Sequence, residues 1–205
     1  MDIRERLLEA AAQVYAEAGY RGATTRRIAQ QAGVSEITLF RQFGSKEALM
    51  LEALTAASRT AVLALPDVPT DPVRELAEWS RGRFETLFRI RSLLRKVMSE
   101  VEEHPEITNC AKSYPRHPVN FLEQYVRRLQ ERGWAAGDID PRVAAAMLVG
   151  AIFTEAMVRD MIPEVYSYGI EEALDGYVRL FLRAIGCDAG APAGAGAAAA
   201  AVRET

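Results

Sequence analysis

The chain opens on an apolar stripe. Ile3, Leu7, Leu8, Ala11, Val14, Tyr15 and Ala18 recur three and four residues apart, the spacing of one helix face, and Gly19 is the expected stop. A second helix is predicted from Thr24 or Thr25, whose hydroxyls can cap free backbone N–H groups, as far as Gly33. Ser35 caps a third, short helix reaching Phe43. Gly44-Ser45 then interrupts the chain, and a fourth helix runs from Lys46 to about Leu63. Prolines 66, 69 and 72 mark a linker. Helices follow at about 73–89 and 91–103, the second ended by His104-Pro105. A loop containing Pro115 and Pro118 leads into a helix that reaches Arg132 and stops at Gly133. Asp140-Pro141 joins a side-chain cap to a proline at the first helical position and opens a helix to about Met161. The last helix spans about 170–185, with Gly186 as its stop. No stretch alternates apolar and polar residues for long enough to argue for a sheet, so the fold class is all-α.

Composition changes this picture in one respect. The 205 residues carry a net charge of −3, which gives no whole-chain signature of a polyanion partner. Between Arg21 and Lys46, however, Arg21, Arg26, Arg27, Arg41 and Lys46 face Glu36 alone, a local charge of +4. A basic patch on an otherwise acidic chain suits a negative partner contacted at one end. Cys110 and Cys187 are far apart and form no CxxC pair, which fits ordinary thiols in a reducing compartment. The N-terminus is charged and amphipathic rather than a signal peptide, and the apolar run from Val143 to Phe153 falls short of the roughly 20 residues a bilayer needs. The expected location is cytoplasmic, away from any membrane.

The most informative segment is GATTRRIAQQAGVSEITLFRQFGSKEALM, Gly22 to Met50. Ile28, Ala29, Ala32, Val34, Leu39 and Phe43 supply its apolar side. Two helices that cross steeply need a small residue at the contact and a turn residue that accepts a left-handed backbone; Ala29 and Gly33 fill these places. Thr25, Arg26, Arg27, Glu36, Thr38, Arg41, Gln42 and Lys46 are left to share an exposed side, narrow enough for a major groove about 12 Å wide.

This segment resembles the DNA-binding signature of the tetracycline-repressor (TetR) family over about thirty residues. The resemblance implies an N-terminal three-helix head with a helix-turn-helix, joined to a larger helical ligand-binding and dimerisation domain, about nine helices in all. The expected boundaries are 1–45 for the head, 46–187 for the body and 188–205 for an Ala/Gly-rich, disordered tail. It also implies that Thr25 and Lys46 hold phosphates, that Arg26 reaches a base edge or phosphate, and that Glu36, Ile37, Thr38 and Gln42 face the groove. Arg27 and Arg41 belong to the same basic surface. The sequence departs from the family pattern at three positions. Phe40 stands where tyrosine is usual, Gln42 where histidine is common, and Ile37 where a small residue is common. Ile37 can touch a thymine methyl and Gln42 can pair with adenine, or Ile37 and Phe40 pack within the head.

Beyond the linker the signal weakens. VAAAMLVGAIF is apolar around its whole circumference, so its helix must be covered on all sides. Paired with the stripe of the last helix across a twofold axis it forms a four-helix dimer interface, as the resemblance also implies, expected at Met147, Gly150, Phe153, Met157, Leu174, Tyr177, Val178 and Phe181. Trp79, Phe84, Phe88, Arg91, Met98, Phe121, Tyr125 and Met147 suit an apolar pocket with a polar anchor, where the family would enclose a small-molecule effector; each is also a plausible core residue. Glu100, Glu103 and His104 have helical spacing that would gather a metal ion but read more simply as a solvated helix end. No nucleophile–base arrangement, glycine-rich phosphate loop or zinc signature is present in the sequence, so neither catalysis nor a cofactor is expected. The expected function is a homodimeric, ligand-responsive repressor that binds palindromic double-stranded operator DNA and is released by an effector. The alternative is a structural or effector-independent DNA-binding protein.

Overall fold

The computed structural model describes residues 1–59, 64–102 and 116–187, with the side chains of residues 58, 59, 116 and 117 excepted. The described residues form nine helices and no strand: α1 (Ile3–Gly22), α2 (Thr25–Gln31), α3 (Glu36–Phe43), α4 (Lys46–Arg59), α5 (Pro72–Arg89), α6 (Arg91–Glu100), α7 (Arg116–Glu131), α8 (Pro141–Val158) and α9 (Ile170–Ala184). The starts follow the cap chemistry. Asp2, Thr24, Ser35, Asp71 and Asp140 each accept a backbone N–H from the first turn of the helix they open. Thr24 is therefore the cap of α2, and Thr25 is its first helical residue.

Two differences from the sequence expectation have simple causes. Hydrogen bonding carries α1 past Gly19 to Gly22, but Gly19 itself sits at φ 70°, ψ −177°, so the helix kinks there rather than ending. Pro118 lies inside the first turn of α7, where the amide a proline lacks would have no helical acceptor anyway. His104-Pro105, Glu103, Cys110 and the 188–205 tail lie outside the described residues.

Two cores organise the chain. The first gathers Leu7, Ala11, Val14, Tyr15, Ile28, Ala29 and Leu39 of α1–α3 with Leu49, Met50, Ala53 and Leu54 of α4, and adds Leu93 and Val97 of α6. The second joins α5, α7, α8 and α9 through Leu76, Trp79, Leu87, Leu122, Tyr125, Leu148, Ile152, Val178 and Phe181. The short α6 spans the two and is pinned at both ends. At its start Arg91 meets Asp160 at 3.0 Å, and Arg95 donates to Asp160 and, at 2.9 Å, to the Met157 carbonyl at the end of α8. At its end Glu100 accepts the Tyr20 N–H at 2.8 Å and pairs with Lys96 at 3.1 Å. The broken helix at Gly19 leaves that amide without its usual partner, and a carboxylate from α6 supplies one.

The body corrects part of the expected dimer surface. Met157, Leu174, Val178 and Phe181 are buried in the protomer's own core, Phe181 to 1 % exposure, because this side of α8 and α9 packs on α5. Met147 and Gly150 point outward, and Phe153 and Tyr177 are half-buried. The same helices expose Val143 and Leu180 as well, Leu180 at 64 %. The expected pocket residues also divide. Trp79, Phe84 and Tyr125 are buried, whereas Met98, Phe121 and Met147 are exposed on the outer sides of α6, α7 and α8 and do not share an enclosure with them. Phe88 stacks on Phe84 at 5.4 Å and carries the Arg91 guanidinium 3.8 Å above its ring. Helix α8, 18 residues from Pro141 to Val158, is by length and composition apolar enough to cross a bilayer, which the shorter run considered above was not. Here it is the central helix of the body, covered by α5, α7 and α9.

Candidate nucleic-acid interface

Helices α2 and α3 meet through Ile28, Ala29 and Leu39, and the turn between them is held from both sides. Gly33 takes φ 65°, a conformation open to glycine and strained for other residues. Arg6 of α1 reaches across to donate to the Ala32 carbonyl and, at 3.2 Å, to the Gly33 carbonyl. Sequence reasoning missed Arg6, which lies on the polar side of α1 and carries no motif. Ser35 caps α3 by accepting the Thr38 N–H at 3.2 Å, and its hydroxyl also pairs with the Thr38 hydroxyl at 3.0 Å.

The outer surface of this pair holds most of the residues picked from the sequence, but not in one state. Arg26, Arg41 and Gln42 are exposed and form no hydrogen bond or ion pair with the described residues. Ile37 is 80 % exposed and Phe40 46 %, so neither serves the core of the head. For Ile37 this removes the packing reading. Arg27 instead turns toward α1 and pairs with Glu17 at 2.9 Å. Thr25 donates its hydroxyl to Glu36 at 2.9 Å, which joins the first turn of α2 to the first turn of α3. Lys46 folds back, donating to the Tyr20 carbonyl with its ammonium 3.9 Å above the Tyr20 ring.

Electrostatics around this surface are local. The Glu47 carboxyl lies below its usual pKa because backbone N–H donation and the Tyr20 hydroxyl at 3.0 Å favour its charge. For Glu100, burial opposes the charge, yet the Tyr20 amide, Lys96 and Tyr15 outweigh it and hold the pKa down. Among the described residues no cluster of three or more His, Cys, Asp or Glu forms a metal cage, and Glu100 is already committed to Tyr20 and Lys96. The surface therefore offers one cation on α2, and a second cation, an amide and two apolar side chains on the short α3. Such a helix can enter a major groove, hold phosphates and touch base edges.

Comparison with known proteins agrees. The profile of "Bacterial regulatory proteins, tetR family" matches residues 7–53, the whole of α2 and α3 with most of α1 and the first half of α4. The chain is 29% identical over 129 residues to the HTH-type transcriptional regulator YvkB of Bacillus subtilis, covering 63% of this chain and 68% of that protein. It is 27% identical over 191 residues to the nucleoid occlusion factor SlmA of Vibrio atlanticus, covering 85% and 91%. Among solved structures, GusR of Salmonella enterica shares the fold with a TM-score of 0.74 at 21% identity, over 90% of this chain and 96% of that one. Residues 7–53 match the tetR family of bacterial regulatory proteins, and the chain is similar over most of its length to HTH-type transcriptional regulators that bind DNA.

Proposed function

We propose that the protein acts in the cytoplasm as a homodimeric repressor, placing α3 of each protomer in successive major grooves of a palindromic operator and leaving the DNA when a small molecule binds the body. The observation that carries the DNA contact is the outer side of α2 and α3, where Arg26, Arg41 and Gln42 have no partner among the described residues and Ile37 stays in water. In this reading Arg26 and Arg41 meet phosphates or base edges, Ile37 and Phe40 meet thymine methyls, and Gln42 pairs with adenine. Thr38, Thr25, Arg27 and Lys46 reach phosphate only by giving up or sharing the contacts they make in the free protein.

Dimerisation supplies the second reading helix, since one short helix touches too few base pairs, and half-sites about 34–36 Å apart follow from twofold symmetry. The surface that suits it is the outward side of α8 and α9: Val143, Met147 and Gly150 with Leu180, bordered by Phe153 and Tyr177. The domains divide as head 1–45, body 46–187 and tail 188–205, with the start of α4 packed into the head's core. An effector site in the body is supported by polar groups that α5 buries: Ser80 is fully buried with its hydroxyl unpartnered, and Arg83 lies close by. A buried unpaired hydroxyl costs about 1–3 kcal/mol, which a bound ligand would recover.

The test is selection of bound fragments from a random DNA pool, with and without cell extract. The expected result is an inverted repeat that is lost when the extract supplies the effector. Enrichment of no sequence refutes operator reading. A second reading, DNA binding without an effector and in a structural role, is favoured by the similarity to a nucleoid occlusion factor; it predicts binding that no extract relieves.

A further inference from the structure

Resting on the placement of α3 in the major groove, we propose that Glu36 determines specificity by requiring a cytosine in each half-site. Glu36 is the first residue of α3, the end of a reading helix that approaches base edges, and it stands beside the 80 % exposed Ile37. A carboxylate there is unexpected on electrostatic grounds, since the rest of the Arg21–Lys46 segment is cationic and DNA is an anion. Among the described residues no salt bridge neutralises it: Arg27 is taken by Glu17, and Arg26 and Arg41 do not touch it. It is not idle either. One oxygen, Oε2, accepts the Thr25 hydroxyl at 2.9 Å, a contact from the neighbouring helix that fixes where the carboxyl group lies.

The chemistry of the groove edges then leaves few choices. A carboxylate accepts hydrogen bonds and donates none. Guanine presents two acceptors to the major groove and thymine an acceptor with a methyl, so both would leave a desolvated negative charge against like partial charge. Adenine offers one donor beside an acceptor. Cytosine presents the N4 amino group alone and is the base that satisfies the carboxylate without a penalty. Glu36 thus selects by exclusion as much as by attraction, and Thr25 positions it.

The experiment sequences the half-sites enriched from a random duplex pool by the full chain and by E36Q, E36A and T25V. The parent is expected to enrich cytosine at one position per half-site, disfavouring guanine and thymine there by about five- to a hundredfold. E36Q keeps an acceptor for Thr25 and gains a donor, so the preference moves to adenine; E36A loses preference at that position alone. T25V, which keeps the shape of the side chain, flattens the cytosine preference and, with the loss of the Thr25 hydroxyl's phosphate contact, weakens all sequences alike. A parent that enriches nothing overturns the operator-reading function itself. A parent with a defined half-site that E36Q and E36A leave unchanged overturns the assignment of Glu36 and leaves the function standing. Melting temperatures of the variants within a few degrees of the parent exclude misfolding as the cause of a lost preference.

Discussion

Replacing Gly19 with alanine tests the junction between head and body. Gly19 lies at φ 70°, ψ −177°, a region that is nearly glycine-only, and holding a side-chain-bearing residue there costs about 1–3 kcal/mol. The new Cβ would also stand 2.5 Å from Lys96 Cε and closer still to Glu100 Oε1. Both are ends of flexible side chains and can swing away, but Glu100 then releases the Tyr20 N–H. A hydrogen bond to a charged group contributes about 1.5–3 kcal/mol when protected from water, and less here because the site is part-exposed. Together G19A is expected to destabilise by about 2–4 kcal/mol in urea denaturation followed by circular dichroism. E100Q, which keeps an acceptor for the amide and loses the Lys96 pair, is expected to cost less than about 1 kcal/mol. Hydrogen exchange supplies the local readout: the Tyr20 amide should exchange faster in G19A and in E100A than in E100Q. A G19A protein within about 0.5 kcal/mol of the parent, with Tyr20 still protected, refutes the account of the kink.

R26A should weaken operator binding by about 1–3 kcal/mol and relax one base position if the arginine reads a base, or lower the salt slope by about one if it grips phosphate; titrations at several salt concentrations separate the two. M147E combined with L180E should give folded monomers in sedimentation, whereas F181E should cost more than about 3 kcal/mol of protomer stability, because it buries a charge in the core. Hydrogen bonds and charge from Arg95 and Arg91 lower the Asp160 carboxyl from 3.8 to about 2, so its stabilising contribution is complete above pH 4 and is lost as pH falls toward 2. D160N should therefore be less stable than the parent at neutral pH, with the gap closing between pH 4 and pH 2 in acid denaturation curves.

The head was legible in the sequence because its constraints are local. A cap, a small contact residue, a left-handed glycine and a second cap fall within twenty residues, and each has a physical reason that one residue type serves. What sequence could not place there are the long-range partners. Arg6 on the Gly33 turn, Glu17 on Arg27 and Glu100 on Tyr20 are ordinary charged residues of amphipathic helices, and only the packing of α1 against α2 and α6 makes them specific. The same holds for Thr25, whose hydroxyl was assigned to phosphate and is held by Glu36 in the free protein.

In the body the sequence pointed to a partner surface but not to the side of the helices that would form it, and the reason is geometric. Periodicity reports how much of a helix is apolar, and α8 is apolar on every side, so it does not separate the side buried in the protomer from the apolar side left outward. Helix α9 misled for the opposite reason. Its clean stripe of Leu174, Val178 and Phe181 looked like an interface and is the protomer's own core, since a regular stripe is what a helix needs to pack on its own domain. The apolar residues that break the pattern carry the information. Leu180 lies off the stripe, next to Arg179 on the solvent side, and Met147 remains 51 % exposed at the middle of α8, on the same outward side as Val143 and Gly150. An apolar side chain that the protomer's own core does not cover is the better candidate for contact with a second copy, and the paired M147E and L180E variant sets that rule against F181E.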